Sequence, residues 1–555
     1  MQPTNALGPG AWRCVIWLIA VWGVLVLPHQ SAAQAPASTA PTQLPAVEVR
    51  GQRLGVEQVV RETSTFATVV DTSEATSKVS SVADVLSESV GVQVRRFGGL
   101  GAFSTVSIRG STPNQVEVYL DNVLQNPANA GLVDLGSLPL DNVERIEIYR
   151  GFAPMQLGAG SIGGAINLVT RPVAGETTNL ASASYGSFDT RKVTLYRSQG
   201  FDQLGYLVLF NYTGSAGDFT FLDDNGTRFN TLDDQVTTRR NNDFNAFSIN
   251  AKGEAIVRGW QITLSDDAFI KDQGVPGQSS IQSEDARLDA WRNVATLRLE
   301  KKTFPWQITD TAFQLAYTRS SEHFTDPEGR IGVGVQDTKN KSETVTGNGL
   351  LTLYWERWQQ TLSLFLEGRY ETFRTIDLLP EQRGQPANEG PLEQRTSFLA
   401  ALQDELRVFA DRLSLRPLLR YQLVHNDFGG QPTFGSVVLN TATVTQEDFV
   451  NPSLGVEVQA AVLAGSEGQC RTFWSPSHVL RALWGPRRHA GQSQSGVRTR
   501  DQLGCGVFPG GTRSGDHGPG VPRVRLFPEQ RRKPHRLCAE FPEHRARREH
   551  RGCQH

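Results

Sequence analysis

Between Thr178 and Gln459 apolar and polar residues alternate with a period of two over segments longer than ordinary strands. Leu362, Leu364, Leu366 and Tyr370 alternate with Ser363, Phe365, Glu367, Arg369 and Glu371. Further on, Leu413, Leu415, Leu419, Tyr421 and Leu423 alternate with Ser414, Arg416, Arg420 and Gln422. A period of two puts the two sets on opposite faces of a strand. One apolar face and one charged face is what a lipid-facing wall around a wet lumen requires. A soluble sandwich shows the same alternation, with strands nearer five or six residues long, so the pattern alone leaves both architectures open. About 12 candidate strands fit in this stretch, with the longest loops at Gly214–Asn242 and Asp272–Asp285.

The 38% hydrophobic content and mean hydropathy of −0.33 exclude a helical membrane protein. One long apolar run exists, Cys14–Leu27, preceded by Arg13 and followed by Ser31-Ala32-Ala33. It is shorter than the roughly 20 residues of a membrane-spanning helix, so residues 1–33 read as a secretory signal cut after Ala33. Residues 34–55 read as a flexible tether, rich in Ala, Pro, Ser and Thr up to Gln43. Leu44–Gly51 then alternates briefly and can add as a strand to a partner's sheet edge, or serve as an ordinary first strand. With Cys14 removed, no cysteine occurs before Cys470, which leaves a disulfide scaffold or thiolate metal site without support up to that point.

Residues 56–172 read as a small α+β unit. A helix starts at Ser80 or Ser81, with Val82, Val85 and Leu86 on one face. Strands follow at Gly91–Arg95, Val106–Arg109, Val116–Leu120, Val143–Tyr149 and Ala165–Thr170. Gly158-Ala159-Gly160-Ser161-Ile162-Gly163 spells a dinucleotide fingerprint, but that chemistry needs a helix opening at the glycines. A β-type run ending at Pro172 follows instead, so the fingerprint is set aside.

Five motifs occur in order here: SVADVLSESVGVQVRRFGG, IRG at 108–110, VEVYLDNV at 116–123, LPLDNVERIEIYRG at 138–151 and LGAGSIGGAINLVTRP at 157–172. Together they resemble the plug domain of TonB-dependent outer-membrane receptors of the cobalamin- and siderophore-receptor type. The resemblance implies an α+β plug domain at 56–172, followed at 173–465 by a transmembrane antiparallel β-barrel. At about 12 of roughly 22 strands, that barrel is incomplete. Val47, Glu48 and Val49 take the place of the TonB box, pulled by an inner-membrane energy-coupling complex. The implied activity is energy-coupled uptake of a metal chelate, a ferric siderophore or cobalamin-like ligand, across the outer membrane of a Gram-negative bacterium. Outer-membrane lipid is a further partner; no enzyme activity, cofactor or nucleic acid is implied.

The plug motif residues are Arg109, Gly110, Arg145, Glu147, Arg150, Gly151, Gly163 and Gly164. The charged ones are expected to form ion pairs with each other or with barrel carboxylates. Asp223, Asp224, Asp233 and Asp234 are dense enough in one loop to be weak calcium candidates. A passive porin, a receptor with a signalling role and a secreted β-rich enzyme are the alternatives. The enzyme lacks a catalytic cluster, since His323 and His425 stand alone.

Composition breaks near Ser466. Residues 466–555 hold 17 of the 55 Lys and Arg, 16 of them Arg, against 7 acidic residues, a net of +10, whereas the preceding part carries −12. Cys470, Cys505, Cys538 and Cys553 are too far apart for a zinc module. Arg-rich sequence without interleaved aromatics argues little for nucleic acid. A shifted reading frame accounts for the break: read one base later with synonymous codons chosen freely, Leu480–Gly506 can yield a barrel-like segment of the same family. The slip is expected between Gln459 and Cys470, leaving an irregular, disordered tail and a defective, truncated barrel.

Overall fold

The computed structural model describes residues 67–460 other than 77–79, 129–130, 152, 159–162, 228, 279–280, 303, 305–307, 332–333, 383, 385, 409–412 and 430–442, together with 468–474 and 506–509. The expected signal peptide, the tether with Val47, Glu48 and Val49, and most of the tail lie outside the described residues.

The first domain is built on β1 (Ala67–Asp71), β2 (Val92–Arg96), β3 (Ser104–Ile108), β4 (Val116–Leu120), β5 (Val123–Leu124), β6 (Val143–Tyr149) and β7 (Gly164–Thr170). Five of these form one sheet in the order β1-β6-β7-β4-β5, while β2 and β3 pair separately. All seven residues of β7 are buried, as expected of a central strand. The helix Val82–Ser87 starts where the sequence places it: Ser81 Oγ accepts from the Asp84 amide at 3.2 Å, and Asp84 accepts from the Ser81 amide at 2.7 Å. This reciprocal cap satisfies two donors that a helix start otherwise leaves open. Val82, Ala83, Val85 and Leu86 are buried in a core shared with Val106, Ile108, Val118, Ile146, Ile148 and Leu168.

The second domain is one continuous antiparallel sheet. Its strands begin with β8 (Thr178–Gly186), β9 (Thr190–Gly200) and β10 (Leu204–Ser215), after which β11 (Thr220–Asp223) and β12 (Gln235–Thr238) form a separate hairpin. The wall resumes with β13 (Phe244–Val257) and β14 (Trp260–Gly274), interrupted by the small hairpin β15 (Gly277–Gln278) and β16 (Ile281–Gln282). It continues through β17 (Arg287–Lys302), β18 (Ile308–Asp326), β19 (Gln336–Trp355) and β20 (Gln360–Asp377), with β21 (Asn388–Glu389) paired to the end of β20. The last long strands are β22 (Glu393–Val408), β23 (Leu413–Phe428) and β24 (Thr443–Ala460).

Twelve long strands of 9 to 20 residues therefore lie between Thr178 and Ala460, matching the expected number. The two ends of the path, β8 and the far end, are not paired with each other among the described residues. Short turns such as Gly200–Leu204 and Val257–Trp260 join one end of the sheet, and longer connections carrying the hairpins join the other. That asymmetry fits the short inner turns and long outer loops of outer-membrane barrels.

The alternation falls on the two faces as expected. Leu364, Leu366 and Tyr370 are 37%, 41% and 43% exposed, while Phe365 and Glu367 between them are 2% and 6% exposed. Among the described residues no second sheet packs on the apolar face, which separates this wall from a sandwich.

Of the tail, expected to be irregular, the described residues are β25 (Gly468–Trp474) and β26 (Gly506–Pro509), which extend the path beyond β24. An open sheet edge presents unpaired N–H and C=O groups that an extended segment can satisfy with little regard to its sequence.

Candidate functional site: the boundary between plug and wall

Three turns of the first domain carry aspartates to the wall. Asp121 and Asn122 form a positive-φ turn (47° and 67°) after β4, conformations that Asn and Asp tolerate better than other side chains. Asp121 Oδ1 accepts from the Thr170 amide at 2.9 Å, tying the turn to β7. Asp134 caps a 3₁₀ turn, its Oδ1 accepting from the Gly136 and Ser104 amides at 2.9 Å each. Asp141 and Asn142 lie in a second 3₁₀ turn leading into β6.

Each of these aspartates meets a buried wall lysine. Lys192 of β9 lies 2.8 Å from Asp141, Lys252 of β13 lies 3.3 Å from Asp121, and Lys271 of β14 lies 3.0 Å from Asp134. Lys271 also donates to the Gly101 carbonyl at 3.2 Å. The register explains why two of them act together: Lys192 pairs with Thr213, Thr213 with Ala246, and Ala246 with Lys271. Directly opposed residues share a face, so both ammonium groups leave the wall at one level, nearer the long-loop end. Lower down, Asn142 donates to Asp267 at 2.6 Å, and Asp267 is held by Arg292 at 3.0 Å. Gln314 donates to the Asp121 carbonyl at 3.0 Å.

Toward β20–β23 the contact changes character. Met155 of the first domain is buried against Phe365, Leu399, Ala401 and Leu418. Arg420, 1% exposed, donates to the Ala153 carbonyl at 2.5 Å and forms no ion pair among the described residues. Tyr119 donates to the Leu157 carbonyl, with its hydroxyl also 2.9 Å from Glu117. Desolvation raises the Glu117 carboxyl above its ordinary value, opposed by the Tyr119 hydroxyl and the charge of Arg369. A cavity of about 90 Å³ lies between the two domains, bordered by Gly101, Asp141, Phe244, Ser248 and Phe269. The buried Ser248 Oγ there has no hydrogen-bond partner among the described residues.

The charges singled out in the sequence sit elsewhere. Arg145 pairs with Glu147 at 2.9 Å and Glu144 at 3.3 Å, and Glu147 also accepts from Tyr149 and Asn167 at 3.0 Å each. Arg145 and Glu147 thus pair with each other, one of the two expected arrangements, and the Asn167 bond ties this β6 cluster to β7 inside the plug. Arg150 donates to Thr68 Oγ1 at 2.5 Å. Arg109 and Gly110 form a positive-φ turn beside it, and desolvation lowers both arginines. Gly151 and Gly164 also have positive φ, and a Cβ at Gly163 would come within 2.6 Å of Ser111 Oγ and 2.7 Å of the Gln115 carbonyl, so these glycines serve backbone closeness. β7 begins at Gly164, directly after the fingerprint-like glycines, and no helix starts there.

Reading residue by residue missed Asp121, Asp134 and Asp141. A local signal was present for two of them, as Asp-Asn follows Leu at both 120–122 and 140–142, whereas Asp134 has none. The lysine partners depend on register between distant strands, which no local pattern encodes.

The calcium candidates are occupied otherwise. Asp223 and Asp224 accept from the turn amides of Asn225 and Gly226 at 3.1 Å each, and Asp233 accepts from Thr227 at 2.9 Å. No group of three or more metal-ligating side chains gathers among the described residues, Asp234 included. His323 is hydrogen-bonded to Asp337 at 2.7 Å. Among the described residues no helix is long and apolar enough to cross a membrane.

Comparison with known proteins agrees with this geometry. The family described as TonB-dependent Receptor Plug Domain matches residues 59–165. The vitamin B12 transporter BtuB of Vibrio cholerae serotype O1 is 33% identical over 112 residues, 20% of this chain and 18% of that protein. The vitamin B12 transporter BtuB of Vibrio vulnificus is 27% identical over 248 residues, 44% of this chain and 40% of that one. Among solved structures, the copper transporter OprC aligns at a TM-score of 0.58 with 15% identity, covering 74% of this chain and 64% of its own. The unliganded ferric citrate transporter FecA aligns at 0.54 with 14% identity, covering 75% and 63%. The matched stretch is thus less than two thirds of each of these proteins. Residues 59–165 thus match the plug domain of TonB-dependent receptors, and the wall shares its fold with these solved transporters.

Proposed function

We propose that the chain serves energy-coupled uptake of a metal chelate or cobalamin-like ligand across an outer membrane. The observation that carries this reading is a folded plug seated against the polar face of a wall whose other face is apolar. A passive pore has no use for a stopper anchored by buried ion pairs. On this reading the apolar face meets lipid and ligand enters from the long-loop end. Val47–Val49 would be the segment gripped by a TonB-type complex in the periplasm, adding as a strand to its partner. The relatives' names include vitamin B12, copper and ferric citrate transporters, which supports a chelated metal as cargo without choosing one.

The composition break near Ser466 supports a second part of the proposal, that a frame slip has made this copy defective. Growth on single iron sources or cobalamin tests both parts, in a host lacking its own receptors. The coding sequence is compared as it stands and with one base restored between the codons of Gln459 and Cys470. Growth that appears only with the restored frame, and only with the coupling complex intact, is the expected result. Growth that survives loss of coupling, or deletion of residues 34–172, contradicts an energised receptor. Equal growth from both sequences contradicts the frame slip.

A further inference from the structure

We propose that two unlike grips hold the plug, and that it lets go along β9–β14 while pivoting on the socket that β20–β23 form around Met155. This deepens the proposed function, because it concerns how the stopper moves.

The first grip is made by buried ion pairs and hydrogen bonds, set beside the buried rings of Phe244 and Phe269. Its contacts are Lys192–Asp141, Lys252–Asp121, Lys271–Asp134 and Asn142–Asp267, with Arg292 behind the last. Glu322 faces the same level, since Lys271 pairs with Ala290 and Ala290 with Glu322. A buried ion pair roughly breaks even against its hydrated, separated ions, although removal of one partner alone is costly. Separation with water entering is therefore nearly neutral in free energy. The cavity bordered by Gly101, Asp141 and Ser248 reaches this seam; its lining is mixed, with polar groups at Asp141 and Ser248 beside Phe244 and Phe269, and it is roomy enough to hold water.

The second grip centres on an apolar socket, beside the buried Glu117 and the charges of Arg369 and Arg420. Met155 against Phe365, Leu399, Ala401 and Leu418 gains nothing from hydration, and its exposure costs transfer free energy in proportion to area. Arg420 adds one bond to the Ala153 carbonyl, a strut at the same place. Met155 is the only methionine after Met1. Its unbranched, flexible side chain can stay seated while the segment around it tilts.

Hydrogen exchange of the full chain, folded in detergent micelles, tests this without any transport. Exchange is compared in low salt (about 50 mM NaCl) and high salt (about 1 M), where charges exposed by opening are screened within roughly 3 Å. Amides of Gly101–Ser104 and Asp134–Asn142 are expected to exchange about tenfold faster at high salt, and those around Met155 to change little. The double variant K271M/D134N keeps the Asp134 cap oxygen and removes both charges, so it should abolish the salt response at Gly101–Ser104. Exchange that rises first around Met155, or equally on both sides, overturns the proposal, as does an unchanged salt response in the double variant. Should uptake fail while the two-sided pattern appears, the functional reading falls and the grips stand.

Discussion

At the scale of single residues, the boundary rests on charges whose worth depends on staying paired. K271M alone leaves Asp134 buried opposite no cation and should cost about 3–5 kcal/mol, whereas K271M/D134N should recover most of it. Denaturant unfolding of the two variants beside wild type checks this, and equal losses would show that Lys271 acts through packing rather than charge. Asp84 gives a pH-dependent counterpart. Hydrogen bonds from Ser81 and the pairing with Arg96 outweigh desolvation and hold its carboxyl below the ordinary 3.8. A depressed carboxylate stabilises above its unfolded value and loses that contribution as pH falls through the folded one. Wild type should therefore lose plug stability below about pH 3.8 more steeply than D84N, and superimposable melting curves would refute the assignment. The cap at Ser81 could be read from sequence because its bonds are local. The aspartate–lysine pairs could not, because each joins residues at least 51 positions apart, as in Asp141–Lys192.

At the scale of elements, strands reveal themselves when burial is one-sided or complete. Val116–Leu120 and Val143–Tyr149 fall where sequence places them, being dense in β-branched residues and bounded by turn formers. β1 (Ala67–Asp71) escaped notice because it is short and exists by pairing with β6 at the edge of the sheet. The wall strands were legible through their period of two, and that period makes its own prediction. Leu366→Arg puts a cation on the apolar face and should cost about 2–4 kcal/mol if it lies near mid-membrane. Glu367→Gln, one residue along on the inner face, should leave insertion intact. Folding into lipid vesicles measures both, and a tolerated Leu366→Arg would deny that this face meets hydrocarbon.

At the scale of the whole molecule, a folded plug seats against the polar face of a wall whose other face is apolar. The plug was legible because its motifs are ordered and punctuated by glycines that the backbone requires. How it seats was not, since the seat is made by rows of the sheet rather than by any segment. Thiol labelling of the folded chain in micelles addresses this arrangement most directly. Cys14, Cys470, Cys505, Cys538 and Cys553 are first changed to Ser, and single cysteines are then placed at 364, 365, 366 and 367 in turn. Positions 364 and 366 should react with a micelle-soluble maleimide and resist a water-soluble one, while 365 and 367 should resist both until the protein is unfolded. Free labelling of 365 and 367 by the water-soluble reagent in the folded chain, or of 364 and 366 by that reagent, would contradict a plugged lumen behind a lipid-facing wall.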